Sequence, residues 1–263
     1  MTASTEALVA GWRKSGIGSG DMVLLHSSLK RTLRRYRKQD PQLDPAAILD
    51  SFLLAIGPEG TLLLPLFNFD FTKGIPFDIR STPSHMGALT EAGRQHQKAV
   101  RTGHPIYSFA VIGARAREFK GVVNFSGYGA DSPFGLLYRG GGKIAILDLP
   151  DQNSVTFYHF VEENLEVPYR YHKTFTGSYT DAEGRSDERT FGLFVRDLDK
   201  GVETHVDPMG EYLWQAGLYE GCRPGEGNGL RTIKAALLFD ATANVIKSGK
   251  AEEMLYRIAP RND

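Results

Sequence analysis

Four short apolar runs constrain this chain more than any other feature. They are MVLLH at 22–26, TLLLPLF at 61–67, FAVIG at 109–113 and KIAIL at 143–147. Runs of this length, without polar alternation, read as strands buried on both faces rather than as helices. Strands of that kind interleaved with helical segments require helices on both faces of one sheet, an α/β architecture.

The segments between the runs carry the expected signals. Residues 4–14 place Leu8, Val9 and Trp12 at helical spacing, with Ser4 or Thr5 as cap. Asp44 followed by Pro45 opens the helix AAILDSFLLAIG, and Gly57 suits its end. Further helices are expected in MGALTEAGRQHQ, SPFGLLYR, TFYHFVEENL and GEYLWQAGLYEG, with a helix or strand–helix unit in KAALLFDATANVIKSG. The first and last of the four strands are expected over Asp21–His26 and Lys143–Leu149, and Pro65 marks a strand end or an edge. After Pro168 the residues alternate polar and apolar around a DAEG turn, the pattern of a β-hairpin. The expected fold is a single α/β domain over residues 1–263. It has a central mixed sheet flanked by helices and an antiparallel β insertion in the C-terminal half.

Composition narrows the partners. Acidic and basic residues balance at 31 each, so bulk charge gives no case for nucleic acid or an anionic membrane surface. The exception is KRTLRRYRK, six basic residues in nine, read as a solvated loop or as a grip for the phosphates of a large anionic cofactor. The one cysteine, Cys222, forms no internal disulfide and has no sequence-near histidine to activate it. No window approaches a membrane span, and the N-terminus lacks a basic start followed by an apolar run, so the expected location is the cytoplasm.

Chemistry gathers in a few places. In TFYHFVEE, with Thr156 as helix cap, Glu162 and Glu163 lie three and four residues beyond His159 on its face of the helix. A carboxylate beside an imidazole fixes its tautomer and raises its basicity, which makes a general base. The same segment equally suits a histidine packed among Phe157, Tyr158 and Phe160. A metal site would have to recruit His85, His104 or His172, and no HExxH pattern is present, so no metal is expected. HSSL falls where a strand runs out, and hydroxyls and N–H groups of Ser27 and Ser28 there can hold a carbonyl or a phosphate. RTGHP is a loop histidine held by a proline, with Ser108 nearby. The RGGGK turn at 139–143 leads into a strand rather than out of one, and fits no phosphate-binding fingerprint.

The order of these stretches is specific. LLHSSL, GPEGTLLLP, PSHMGALTEAGR, RTGHPIYSFAVIGARA, SPFGLLYRGGGKIAILDLP, TFYHFVEENLEVPYR and GLRTIKAALLFDATANVI together resemble the antibiotic N-acetyltransferase family, typified by the aminoglycoside 3-N-acetyltransferases. The resemblance implies transfer of an acetyl group from acetyl-CoA to an amine, by direct attack, with His159 as general base and Glu162 polarising it. It implies coenzyme contacts from Ser27, Ser28, Arg101, His104 and Ser108. A cationic amino-sugar acceptor would favour carboxylates, with Asp70, Glu163 and Asp207 as candidates. The implied partner is a small-molecule amine acceptor, and a homodimer is compatible with the chain. Three departures stand out: the basic segment after HSSL, Thr102 where the family has serine, and the aromatic 68–84 loop. The basic segment and the aromatics suit a nucleotide-linked amino sugar as alternative acceptor, or equally a grip on the coenzyme's phosphates alone. A non-catalytic acyl-CoA or sugar-binding protein of the same fold is the other reading. A hydrolase is disfavoured, because HSSL lacks the G-x-S-x-G elbow.

Overall fold

The computed structural model describes residues 2–259. In chain order the elements begin with α1 (Ala3–Lys14), β1 (Met22–Ser27), α2 (Lys30–Tyr36), α3 (Pro45–Ile56), β2 (Thr61–Pro65), β3 (Phe77–Asp78), α4 (Ala88–Gln95), β4 (Val100–Arg101) and β5 (Phe109–Gly113). There follow α5 (Pro133–Arg139), β6 (Lys143–Leu147), α6 (Phe157–Asn164), β7 (Arg170–Thr180), β8 (Ser186–Arg196), β9 (Val202–Thr204) and α7 (Asp207–Gln215). The chain closes with β10 (Glu220–Gly221), β11 (Leu230–Lys234), α8 (Ala235–Lys247), α9 (Ala251–Met254) and β12 (Tyr256–Ile258).

The four apolar runs are the centre of one mixed sheet, ordered β10-β11-β6-β1-β2-β5-β4. Its middle is parallel, β1 pairing with both β6 and β2, and its flanks are antiparallel. Successive side chains of each strand enter opposite layers. Leu24 of β1 and Ile144 and Ile146 of β6 face the layer holding Phe134, Phe157, Phe160 and Leu238, so α5, α6 and α8 cover that side. Val23, Leu25, Ala145 and Leu147 face the layer of Leu8, Trp12, Ile48 and Phe52, from α1 and α3. Burial on both faces is why the runs show no polar alternation. In the second layer Trp12 stacks on Phe52 at 4.5 Å and donates its indole N–H to Ser51 Oγ at 2.8 Å.

The hairpin around DAEG is β7 paired with β8 over eleven residues each, with β3 added alongside as a parallel third strand. Asp44 caps α3 through the Ala47 N–H, and Gly57 ends that helix at φ 69°.

Several local expectations are corrected. Thr2, not Ser4 or Thr5, caps α1. The first strand covers Met22–Ser27, and the fourth ends at Leu147, because Asp148 turns into positive φ at 52°. Pro65 marks a strand end, one of its two expected places, as the last residue of β2, which is a central strand. Thr156 makes no capping bond to α6; its hydroxyl donates to Ser154 O at 3.4 Å. The basic segment is largely helical, as α2. Buried Thr32 and the packing of Leu33 and Tyr36 hold it down against the repulsion of its own charges.

Candidate active site

Helix α6 is short and presents two different faces. Phe157, Tyr158, Phe160 and Val161 are buried, so the helix is pinned to the sheet and cannot rotate. His159 and Glu162 fall one turn apart on the remaining face, and His159 Nδ1 meets Glu162 Oε2 at 2.7 Å. The expected pair is formed.

A third group completes it. Arg170, the first residue of β7, brings Nε to 2.7 Å from the same Glu162 oxygen, and its Nη1 donates to Phe194 O at 3.1 Å. Glu162 and Arg170 side chains are only 1% and 6% exposed, whereas His159 retains 18%. The imidazole therefore has one edge in the protein and one edge open.

The electrostatics follow from this packing. Burial pushes the Glu162 carboxyl up, but the Arg170 guanidinium and the His159 hydrogen bond outweigh it and hold it below its ordinary value. Burial and the Arg170 charge depress His159, against the pull of Glu162. An ionised Glu162 is acceptor only, so Nδ1 carries the proton and Nε2 presents a lone pair. Among the described residues Nε2 has no hydrogen-bond partner. A neutral histidine, oriented by a buried carboxylate with its far nitrogen free, is built to take a proton.

Aromatic rings join this dyad to the end of β1. Tyr128 lies edge-on to His159 at 5.3 Å, Tyr107 packs on Tyr128 at 4.8 Å, Phe67 on Tyr107 at 4.4 Å, and His26 faces Phe67 at 6.4 Å. Ser27 and Ser28 follow His26 and are half-buried at the carboxyl end of a parallel strand. The Ser28 N–H is not free to bind a ligand, since it donates to Leu147 O at 2.8 Å. Only its hydroxyl remains available.

The RTGHP residues lie deeper than their loop context suggested. His104 is fully buried: its Nδ1 accepts from the Ile106 and Tyr107 N–H groups at 3.2 and 3.0 Å, and Nε2 faces Gly192 O at 3.3 Å. Burial lowers it to about 4, so it stays neutral. Arg101 donates to Ile79 O at 3.1 Å, to Thr82 O at 2.6 Å and to Ser108 Oγ, tying the 68–84 loop to β4. These three residues shape the neighbourhood of Tyr107 and do not reach solvent as a group.

The carboxylate candidates separate. Glu163 accepts from Ser126 Oγ at 2.7 Å rather than joining the His159 pair, with burial pushing its carboxyl up and His172 and Asp131 nearby. Asp70 pairs with Lys73 and lies 3.4 Å from His85 Nε2. Asp207 accepts from the Gln152 N–H at 2.8 Å, at the turn before α6. Among the described residues no three His, Cys, Asp or Glu side chains gather as a metal-binding group, and no helix is long and apolar enough to cross a membrane. Sequence reasoning missed Arg170, Tyr128 and Ser126. Their only trace was the aromatic and polar content of loops whose placement needs the fold.

The profile of the family described as aminoglycoside 3-N-acetyltransferase matches residues 24–247. Aminoglycoside N(3)-acetyltransferase VIII of Streptomyces fradiae is 26% identical over 184 residues, 61% of each chain. Aminoglycoside N(3)-acetyltransferase IV of Salmonella sp is 25% identical over 171 residues, 60% of this chain and 61% of its own. The matched region thus spans about three fifths of these relatives. Among solved structures, the aminoglycoside acetyltransferase AAC(3)-Xa superposes with a TM-score of 0.75 at 24% identity, over 93% of this chain and 92% of its own. AAC-IIIb in a binary complex with CoASH gives 0.79 at 20% identity, over 94% and 97%. These two likenesses establish the shared fold. With a profile match running from β1 to the end of α8, the chain belongs to the aminoglycoside 3-N-acetyltransferase family.

Proposed function

We propose that the protein transfers an acetyl group from acetyl-CoA to an amino group of an aminoglycoside or similar amino sugar. The observation that carries this reading is the His159–Glu162–Arg170 arrangement, a neutral imidazole with Nε2 open beside a buried, ionised carboxylate. The family's name and the coenzyme complex of a protein with this fold support the donor and the acceptor class.

The step needs no acyl-enzyme. The acceptor nitrogen attacks the thioester carbonyl, the C–N bond forms and the C–S bond breaks. His159 Nε2 takes the proton from nitrogen and returns it to the departing thiolate. Glu162 holds the imidazolium in place meanwhile, through Nδ1. The Ser27 and Ser28 hydroxyls are the groups assigned to the carbonyl oxygen. Glu163, half-buried and facing Ser126, is assigned to an acceptor ammonium. Arg101, His104 and Ser108 are assigned to holding the wall around Tyr107 rather than to touching the coenzyme.

A nucleotide-linked amino sugar is the second acceptor reading, favoured by the cation-lined cavity at α2. Free-thiol release from acetyl-CoA, run against aminoglycosides and nucleotide-linked amino sugars, tests both. Turnover with neither class would remove the reading and leave a binding protein of this fold.

A further inference from the structure

Helix α2 has no part in the dyad, yet it is built in an unusual way. Arg31, Arg34 and Arg35 fall at i, i+3 and i+4 on one face of the helix, and Lys38 follows in the turn just beyond its end. Together they line a cavity of about 390 Å³ that no carboxylate borders. In a chain whose charges balance overall, this is a concentration of positive charge in which, among the described residues, only Arg31 has a carboxylate partner, Asp148. Like charges at this spacing disfavour the helix.

Two of the four are held in position. Arg31 Nε meets both oxygens of Asp148 at 2.9 and 3.1 Å, and its two terminal nitrogens donate to Gly227 O and Glu226 O. Arg35 Nη1 donates to the same Gly227 oxygen at 3.0 Å. The 225–229 turn is shaped to receive them: Gly229 has φ 76°, and a Cβ there would meet Asp148 Oδ1 and Arg31 Nη2. Arg34 and Lys38, by contrast, are exposed, and among the described residues no hydrogen bond or ion pair engages them. The cluster begins three residues beyond Ser28, at the carboxyl end of β1 where parallel α/β sheets receive ligands.

We propose that this basic surface at α2 is a binding site for the phosphate groups of a nucleotide, with Arg31 anchoring the helix through Asp148, Arg35 held as a positioned donor by the 225–229 turn, and Arg34 and Lys38 closing on the ligand. Arginine forks match phosphate oxygens in pairs, and the exposed lysine supplies a further charge. The nucleotide is either the coenzyme's own 3′,5′-bisphosphate or the carrier of a nucleotide-linked acceptor. That choice rests on the acyl-transfer reading, whereas the affinity for phosphate does not.

Titration calorimetry with adenosine 3′,5′-bisphosphate, uridine diphosphate and adenosine separates these sources. For the native protein at least one phosphorylated probe should bind about tenfold or more tightly than adenosine, weakening as salt rises. A preference for the bisphosphate assigns the site to the coenzyme; a preference for uridine diphosphate assigns it to the acceptor. The Arg34→Ala/Lys38→Ala double variant, altered only at exposed side chains, should lose that advantage with an unchanged melting temperature. Phosphate probes binding no better than adenosine, or equally well to the double variant, would overturn the proposal. Thiol release by the native protein reports on acyl transfer separately: turnover without phosphate dependence sinks the site alone, and phosphate binding without turnover sinks the acyl-transfer reading alone.

Discussion

His159 and Arg170 converge on one oxygen: Nδ1 of the imidazole and Nε of the guanidinium each lie 2.7 Å from Glu162 Oε2. Both groups draw on the one carboxylate, and the permanently charged arginine sets the terms. Arg170 keeps Glu162 ionised and at the same time makes a proton on His159 less welcome. The imidazole is thereby oriented as if by a carboxylate alone, but held neutral at physiological pH.

The acid limb of kcat/KM should accordingly lie below pH 6.5, the ordinary histidine value, since burial and Arg170 depress His159. A pH–rate profile under low acetyl-CoA and acceptor concentrations checks this. A limb above 6.5 would mean that the imidazolium is stabilised, contrary to the geometry.

Replacing Arg170 with Met removes the repulsion on His159 and leaves Glu162 buried with a single partner. The acid limb should move up in pH, and the protein should lose stability, by about 3–5 kcal/mol for one member of a buried ion pair. Denaturant unfolding and the pH profile of the same variant measure the two effects. Arg170→Lys should recover part of both.

Glu162→Gln removes the attraction that raises His159, so the acid limb should move further down. Loss of the fixed tautomer should lower kcat by roughly 10²–10⁴-fold. A variant with unchanged kcat would show that Glu162 serves packing alone.

The fold should weaken in mild acid for a reason separate from the active site. His26 and His104 are buried neutral, lowered from 6.5 to about 3 and about 4. The unfolded chain takes up their protons first as pH falls through 6.5, so stability declines from there toward pH 3–4 and is fully retained above 6.5. For His104 alone the loss is on the order of 3 kcal/mol. Thermal melts between pH 7.5 and 4 should show a falling midpoint, and His104→Gln, which keeps a donor and an acceptor, should flatten that fall.

Much of this architecture is legible in the residue pattern, and for a physical reason. Strands buried on both faces must be apolar throughout, so MVLLH and KIAIL declare themselves, and the DAEG turn declares the hairpin. The dyad is legible because i, i+3 spacing is local. Arg170 is not, because it reaches Glu162 from the next element, across a turn whose course depends on Val167 and Tyr169 packing. His104 looked exposed beside glycine and proline, but its backbone contacts bury it completely. Helix α2 looked like a solvated loop from its charges. Its stability comes from Thr32, Leu33 and Tyr36 packing, and from the distant Asp148.

The account stands most directly on His159. Thiol release from acetyl-CoA by the His159→Ala variant, with an acceptor that the native protein acetylates, should fall roughly 10²–10⁴-fold while coenzyme binding is retained. A variant that binds the coenzyme and turns over at the native rate would contradict the assignment of His159 as the base.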